Sequence, residues 1–145
     1  MRISEVLAAK ASQDVVTIIP AATVRELLAL LAQYNVGALI VSTDGATLDG
    51  IVSERDVVRS LHQNEDLLDQ PVSAIMTTEV NTCTEEDSVN NLMQVMTEKR
   101  IRHVPVLTAG RVTGVISIGD VVKSRMSELE FERDQLDSYV HTAQS

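Results

Sequence analysis

The stretch GVISIGDVV, Gly114 to Val122, has a near copy upstream in GIVSERDVV, Gly50 to Val58. Each reads as an apolar strand, then Ser-x-x-Asp, then the start of a helix. Ser is a favoured helix N-cap, and an acid three residues on can reach back to the capping amide. Two copies of this unit in 145 residues point to an internal duplication.

The rest of the chain keeps step. At an offset of 65, Thr17 meets Thr82, Thr23-Val24 meets Ser88-Val89, Leu27 meets Leu92, Val41 meets Val106, and Gly45 meets Gly110. Past that glycine the offset becomes 64, a one-residue deletion inside a turn. Each repeat predicts the order β-α-β-β-α. A short β-rich piece opens it, Val15–Ile19 or Val80–Thr84. A helix follows, N-capped by Thr23 or Ser88, with Glu26 completing a capping box on Thr23. Val24, Leu27, Leu28 and Leu31 recur at helical spacing, as do Val89, Leu92, Met93 and Met96. Two strands come next, Ala38–Val41 with Ile51–Ser53, then Val104–Leu107 with Val112–Ser117. A last helix begins after Ser53 or Ser117.

A repeat of about 60 residues buries too little surface to stand alone, so the two are expected to pack on each other. The chain divides into a first repeat with an N-terminal helix (1–62), a connector (63–76), a second repeat (77–123) and a C-terminal helical tail (124–145). Pro71 to Met76 is expected to form a short helix. The tail has apolar residues Met126, Leu129, Leu136 and Val140 among many charges. It reads equally well as a solvated amphipathic helix or as a dimer contact.

Forty-four per cent of the residues are apolar, with no Trp, two Tyr and one Phe, so the core must be aliphatic. The net charge of −9 argues against nucleic acid as a partner. The one cysteine, Cys83, cannot form an internal disulfide, which suits a reducing compartment. No apolar run approaches the roughly 20 residues of a membrane helix, and the N-terminus does not read as a signal peptide. The expectation is a cytoplasmic protein without membrane contact. His62, His103 and His141 are scattered, and Cys83 has no neighbouring ligand, so no metal site is expected. No Walker loop, dinucleotide fingerprint or nucleophile elbow is present, so catalysis is not expected.

The duplicated β-α-β-β-α order, the Gly-h-h-Ser-x-x-Asp units (h, an aliphatic residue) and RHVPVL at Arg102–Leu107 resemble the CBS domain pair, or Bateman module. The resemblance runs from about Ile3 to Lys123. VSERDVVR, IMT, RHVPV and GVISIGDVVK together look like the small stand-alone bacterial proteins of that family. It implies a mixed α+β (α/β) fold of two repeats packed with pseudo-two-fold symmetry. It also implies a regulatory module for adenosine ligands, two inter-repeat clefts, and disc-shaped homodimers that act on a regulated partner.

The chemistry of the repeated unit fits that expectation. A carboxylate accepts the two vicinal ribose hydroxyls, while the adjoining helix N-terminus favours phosphate. By analogy, the second site combines Val16, Val36, Gly37, Arg102, His103, Val115, Ser117, Ile118, Gly119 and Asp120. Arg102 would offer a cationic fork to phosphate, and His103 a titratable donor. Gly119 would let a ligand approach the backbone. The first site takes Ser53, Arg55 and Asp56, with Val80 and Asn81 lending the base wall. Lys10 and Lys123 read as exposed charges that could also reach phosphate. AMP is the favoured ligand because few cations are in view, with NAD or ATP next; S-adenosylmethionine belongs to the same ligand class. The alternative is a dimeric interaction module with empty clefts that works through its C-terminal helix.

Overall fold

In a computed structural model of the chain, which describes every residue except Ala11, Gln13 and Ser145, the duplication is visible as two units with separate cores. Helix α1 (Ile3–Ala8) precedes the first repeat. That repeat contains β1 (Thr17–Ile18), α2 (Val24–Tyr34), β2 (Ala38–Val41), β3 (Gly50–Ser53) and α3 (Glu54–Leu61). Two 3₁₀ turns, Leu67–Asp69 and Val72–Ala74, make the connector, where the sequence predicts one short helix. The second repeat contains α4 (Val89–Lys99), β4 (His103–Thr108), β5 (Arg111–Ser117) and the start of α5 (Ile118–Gln144).

In the first sheet β1 lies parallel to β2, and β2 antiparallel to β3. In the second, β4 and β5 pair antiparallel. The strand expected at Val80–Thr84 shrinks to one bridge, Cys83 to Val106, with hydrogen bonds from Cys83 N to Pro105 O and from Leu107 N to Cys83 O. Pro105 stands where the first repeat has Ile40, and without an N–H it cannot donate the next rung of a parallel ladder.

The helix ends follow the sequence closely. Thr23 and Glu26 form the capping box at α2, and Ser88 accepts the Asn91 amide at α4. Both helices then stop in a left-handed residue, Asn35 (φ 51°) and Arg100 (φ 54°). Asn is at ease there, whereas Arg is strained.

The repeats exchange their leading segments. Ile3, Val6 and Leu7 of α1 are buried in the core of the second repeat, not the first, with which the sequence grouped them. Leu67 and Val72 of the connector are buried in the core of the first. The bonding is matched on the two sides. Val72 N and Ser73 N donate to Ala22 O and Pro20 O, as Ile3 N and Ser4 N donate to Asp87 O and Glu85 O.

This exchange explains the repeated strand glycine. A Cβ on Gly114 would lie 2.8 Å from Leu7 Cδ2. A Cβ on Gly50 would lie 2.9 Å from Met76 Sδ and 2.8 Å from the Thr77 carbonyl. Each segment presses on the strand that begins the Ser-x-x-Asp unit; at Gly50 the fixed Thr77 carbonyl leaves no room for a Cβ, whereas at Gly114 the end of the Leu7 side chain would have to shift.

Candidate functional site

Both Ser-x-x-Asp units are closed capping boxes. At the start of α3, the Ser53 amide donates to Asp56 Oδ2 at 2.8 Å, and the Asp56 amide donates to Ser53 Oγ at 3.3 Å. At the start of α5, the Ser117 amide donates to Asp120 Oδ2 at 2.9 Å, and the Asp120 amide to Ser117 Oγ at 3.1 Å. In each carboxylate the capping contact uses Oδ2. Oδ1 has no hydrogen-bond partner among the described residues. The capping and ribose-binding roles are therefore compatible: one oxygen fixes the side chain, and the other can accept from a ligand.

Each carboxylate lines a cavity between the repeats. Asp120 and Ser117 line a cavity of about 370 Å³, the second cleft, with Val16, Val36, Gly37, His103 and Val115. Asp56 and Ser53 line one of about 770 Å³, the first cleft, with Arg55, Val80 and Asn81. Both volumes fall in the range of small-molecule clefts. All five residues expected at the first site line the first cleft.

Three residues expected at the second site do not line its cleft. Arg102 lines the first cleft instead. Arg102 lies just before β4, and its neighbour His103, the first residue of that strand, lines both clefts. Pseudo-symmetry gives the same answer, since Val36 and Gly37 of the first repeat face the helix start of the second. Ile118 and Gly119, in the first turn of α5, are exposed and line neither cavity. A Cβ on Gly119 would meet only Ser117 Oγ, 3.6 Å away, so crowding does not demand a glycine there.

Sequence reasoning undervalued Lys10. Its Nζ donates to the Val115 carbonyl at 2.7 Å and sits 3.1 Å from Asp120 Oδ2. It thus ties together one wall of the second cleft. Burial pushes the Asp120 carboxyl up, but the Ser117 amide and the Lys10 ammonium outweigh it and hold the group below its ordinary value. The contact spans 105 positions of sequence, so no local pattern announces it.

His103 lines both cavities, as do Gly37, Ala38 and Ile51. Its ring would lie 3.3 Å from a Cβ on Gly37, which makes it part of the partition between the clefts. Burial pushes its pKa down. Glu54 and Asp120 oppose that shift, while Lys10 and Arg102 reinforce it.

The first cleft is the more cationic. Besides Arg55 and Arg102 it is lined by Arg59, Lys99 and Arg100, which the sequence reading left out. The run KRIR, Lys99–Arg102, carried the signal. Among the described residues no group of His, Cys, Asp and Glu is placed to hold a metal ion.

Comparison with known proteins accords with this geometry. The CBS domain pattern matches residues 3–63 and 72–127. A crystal structure of a CBS-domain containing protein from Agrobacterium tumefaciens superposes with a TM-score of 0.82 at 39% identity, covering 86% of this chain and 99% of that one. A mitochondrial CBS domain-containing protein of Arabidopsis thaliana is 39% identical over 123 residues, which is 81% of this chain but only 60% of that protein. A CBS domain protein from Pyrobaculum aerophilum, solved complexed with AMP, is 33% identical with a TM-score of 0.73, covering 83% of this chain and 89% of that one. The chain belongs to the CBS domain family and has the mixed α/β fold of its tandem pairs.

Proposed function

We propose that this protein is a non-catalytic sensor of adenine nucleotides, with AMP as the reference ligand and NAD or ATP as further candidates. The observation that carries this reading is the pair of capping-box carboxylates. They stand at equivalent helix starts, each with one oxygen unengaged and each lining an inter-repeat cavity. The AMP complex of the Pyrobaculum aerophilum relative supports it.

In this reading the ribose hydroxyls meet Oδ1 of Asp120 or Asp56. The adenine lies against Val16, Val36 and Val115 in the second cleft, and against Val80 and Asn81 in the first. A cleft between two separately cored repeats changes width when they rotate. A ligand that favours one setting shifts the equilibrium by its differential affinity, and a regulated partner reads the result. Among the described residues no helix is long and apolar enough to cross a membrane. The protein would act in the cytoplasm, where its lone buried thiol, pushed up to about 11 by burial, stays reduced.

The C-terminal helix favours a homodimer. Val122, Met126, Leu129, Leu136 and Val140 of α5 are all about half exposed or more. An apolar stripe of that length fits a second copy of the chain in the disc-shaped pairing that the family resemblance implies. The same stripe carries the second reading, a dimeric interaction module with empty clefts.

Thermal melts separate the two. Addition of AMP, ATP, NAD or S-adenosylmethionine should raise the melting temperature for at least one ligand, because binding to the native state stabilises it by mass action. Flat melts with all four would leave the interaction module as the better account.

A further inference from the structure

Twelve lysines and arginines are set in a chain of net charge −9, and they are not spread evenly. Four of them, Lys10, Arg25, Arg125 and Arg133, stand in ion pairs. Of the remaining eight, five line the first cleft: Arg55, Arg59, Lys99, Arg100 and Arg102. None of the five has a side-chain hydrogen bond or ion pair among the described residues.

Three acids line the same cleft, Glu54, Asp56 and Glu79, which leaves a cationic excess. One of them, Asp56, is already committed through Oδ2 to the Ser53 amide. Like charges gathered without partners repel one another, and an acidic chain has counter-charges to spare elsewhere. The second cleft has the opposite balance. Among the described residues Lys10 is its one lysine or arginine, it is already paired, and Asp14 and Asp120 line the same cavity.

Arg100 adds a second observation. It ends α4 in the left-handed region, at φ 54°, where the matching residue of the first repeat is Asn35. Asn or Gly would be more comfortable at that helix end. A strained residue that brings a charge to a cavity points to a role for the charge. The first cleft is also roughly twice the size of the second.

We propose that the first cleft is a polyphosphate subsite. It takes an adenine nucleotide with two or more phosphates, while the second cleft takes the monophosphate or an uncharged adenosine compound. This rests on the reading of both clefts as adenosine sites and divides the ligands between them by charge. Arginine forks and a lysine point charge around one opening suit successive phosphates.

The test is calorimetric titration of adenosine, AMP, ATP and inorganic triphosphate into Asp120→Asn, which silences the second cleft, and into the same variant carrying Arg59→Gln and Arg100→Asn. Arg59 is exposed, and Asn fits the left-handed position, so both changes leave the fold intact. The expected result is ATP binding at least about tenfold tighter than AMP, the effect of a charge-assisted hydrogen bond or two. That advantage should fall several-fold in the cation variant and weaken with salt. AMP binding as tightly as ATP, or an advantage untouched by loss of the two arginines, would overturn the proposal while leaving the adenosine reading in place. Binding of inorganic triphosphate with no adenosine compound bound would support the phosphate subsite and end the adenosine reading. No binding by any of the four would end both.

Discussion

Lys10 pairs with Asp120 in the wall of the second cleft, with Nζ 3.1 Å from Oδ2 and 2.7 Å from the Val115 carbonyl. A cation at that place is a ready partner for a phosphate and a restraint on the carboxylate that would hold the sugar. Lys10→Ala should therefore weaken AMP by about tenfold and leave adenosine unchanged or tighter. Calorimetry with both ligands checks this. An equal loss for both would mean that Lys10 acts only on the shape of the cleft.

The same pair shapes the acid limit of stability. The Asp120 carboxyl is held below its ordinary value of 3.8, so the unfolded chain binds its proton first as pH falls. The stabilisation is complete above about pH 4 and is lost as pH drops through the folded-state value. Asp44, held low by the Thr47 and Ala46 amides, acts in the same direction. Urea titrations from pH 5 to pH 2 should show a shallower decline for Lys10→Ala than for the parent chain. Parallel declines would show that the ion pair adds nothing.

His103 titrates in the opposite sense from a histidine that gains a carboxylate partner. Burial lowers its pKa from the ordinary 6.5 against the pull of Glu54 and Asp120. The folded chain therefore resists protonation, and stability is lost as pH falls from 6.5 toward the folded-state value. The imidazole resonances should titrate below 6.5, and His103→Asn should flatten the stability profile in that window. A histidine that titrates above 6.5 would show that the two carboxylates outweigh burial.

The strand glycines give a graded pair. Gly50→Ala drives a Cβ to 2.8 Å from the fixed Thr77 carbonyl, whereas Gly114→Ala meets the movable end of Leu7. We expect Gly50→Ala to cost about 1–3 kcal/mol in urea unfolding and Gly114→Ala less. The reverse order would contradict the close packing of the exchanged segments.

The duplication, the helix caps and the order of elements, apart from the opening strand of the second repeat and the connector, were legible because each rests on local chemistry. Thr23 with Glu26, and Ser117 with Asp120, specify their helix starts within four residues. The exchange of α1 and the connector was not legible. ISEVL and VSAIM show which residues are apolar but not which core they enter. Arg102 was given to the second cleft because, by family analogy, the strand entry it shares with His103 was set against the phosphate of its own repeat's Asp; in the folded chain Arg102 lines the first cleft and His103 lines both. Arg59, Lys99 and Arg100 read singly as solvated charges, and only the folded chain shows them around one opening.

The sharpest test concerns the unengaged Oδ1 atoms of Asp56 and Asp120. An asparagine keeps an oxygen to accept the Ser53 or Ser117 amide, so the cap survives, but it presents an N–H₂ to the sugar in place of an acceptor. AMP and ATP should be titrated calorimetrically into the parent chain, Asp56→Asn, Asp120→Asn and the double variant. Each single change should remove one class of sites, and the double change should abolish binding. Undiminished affinity in the double variant would contradict the account.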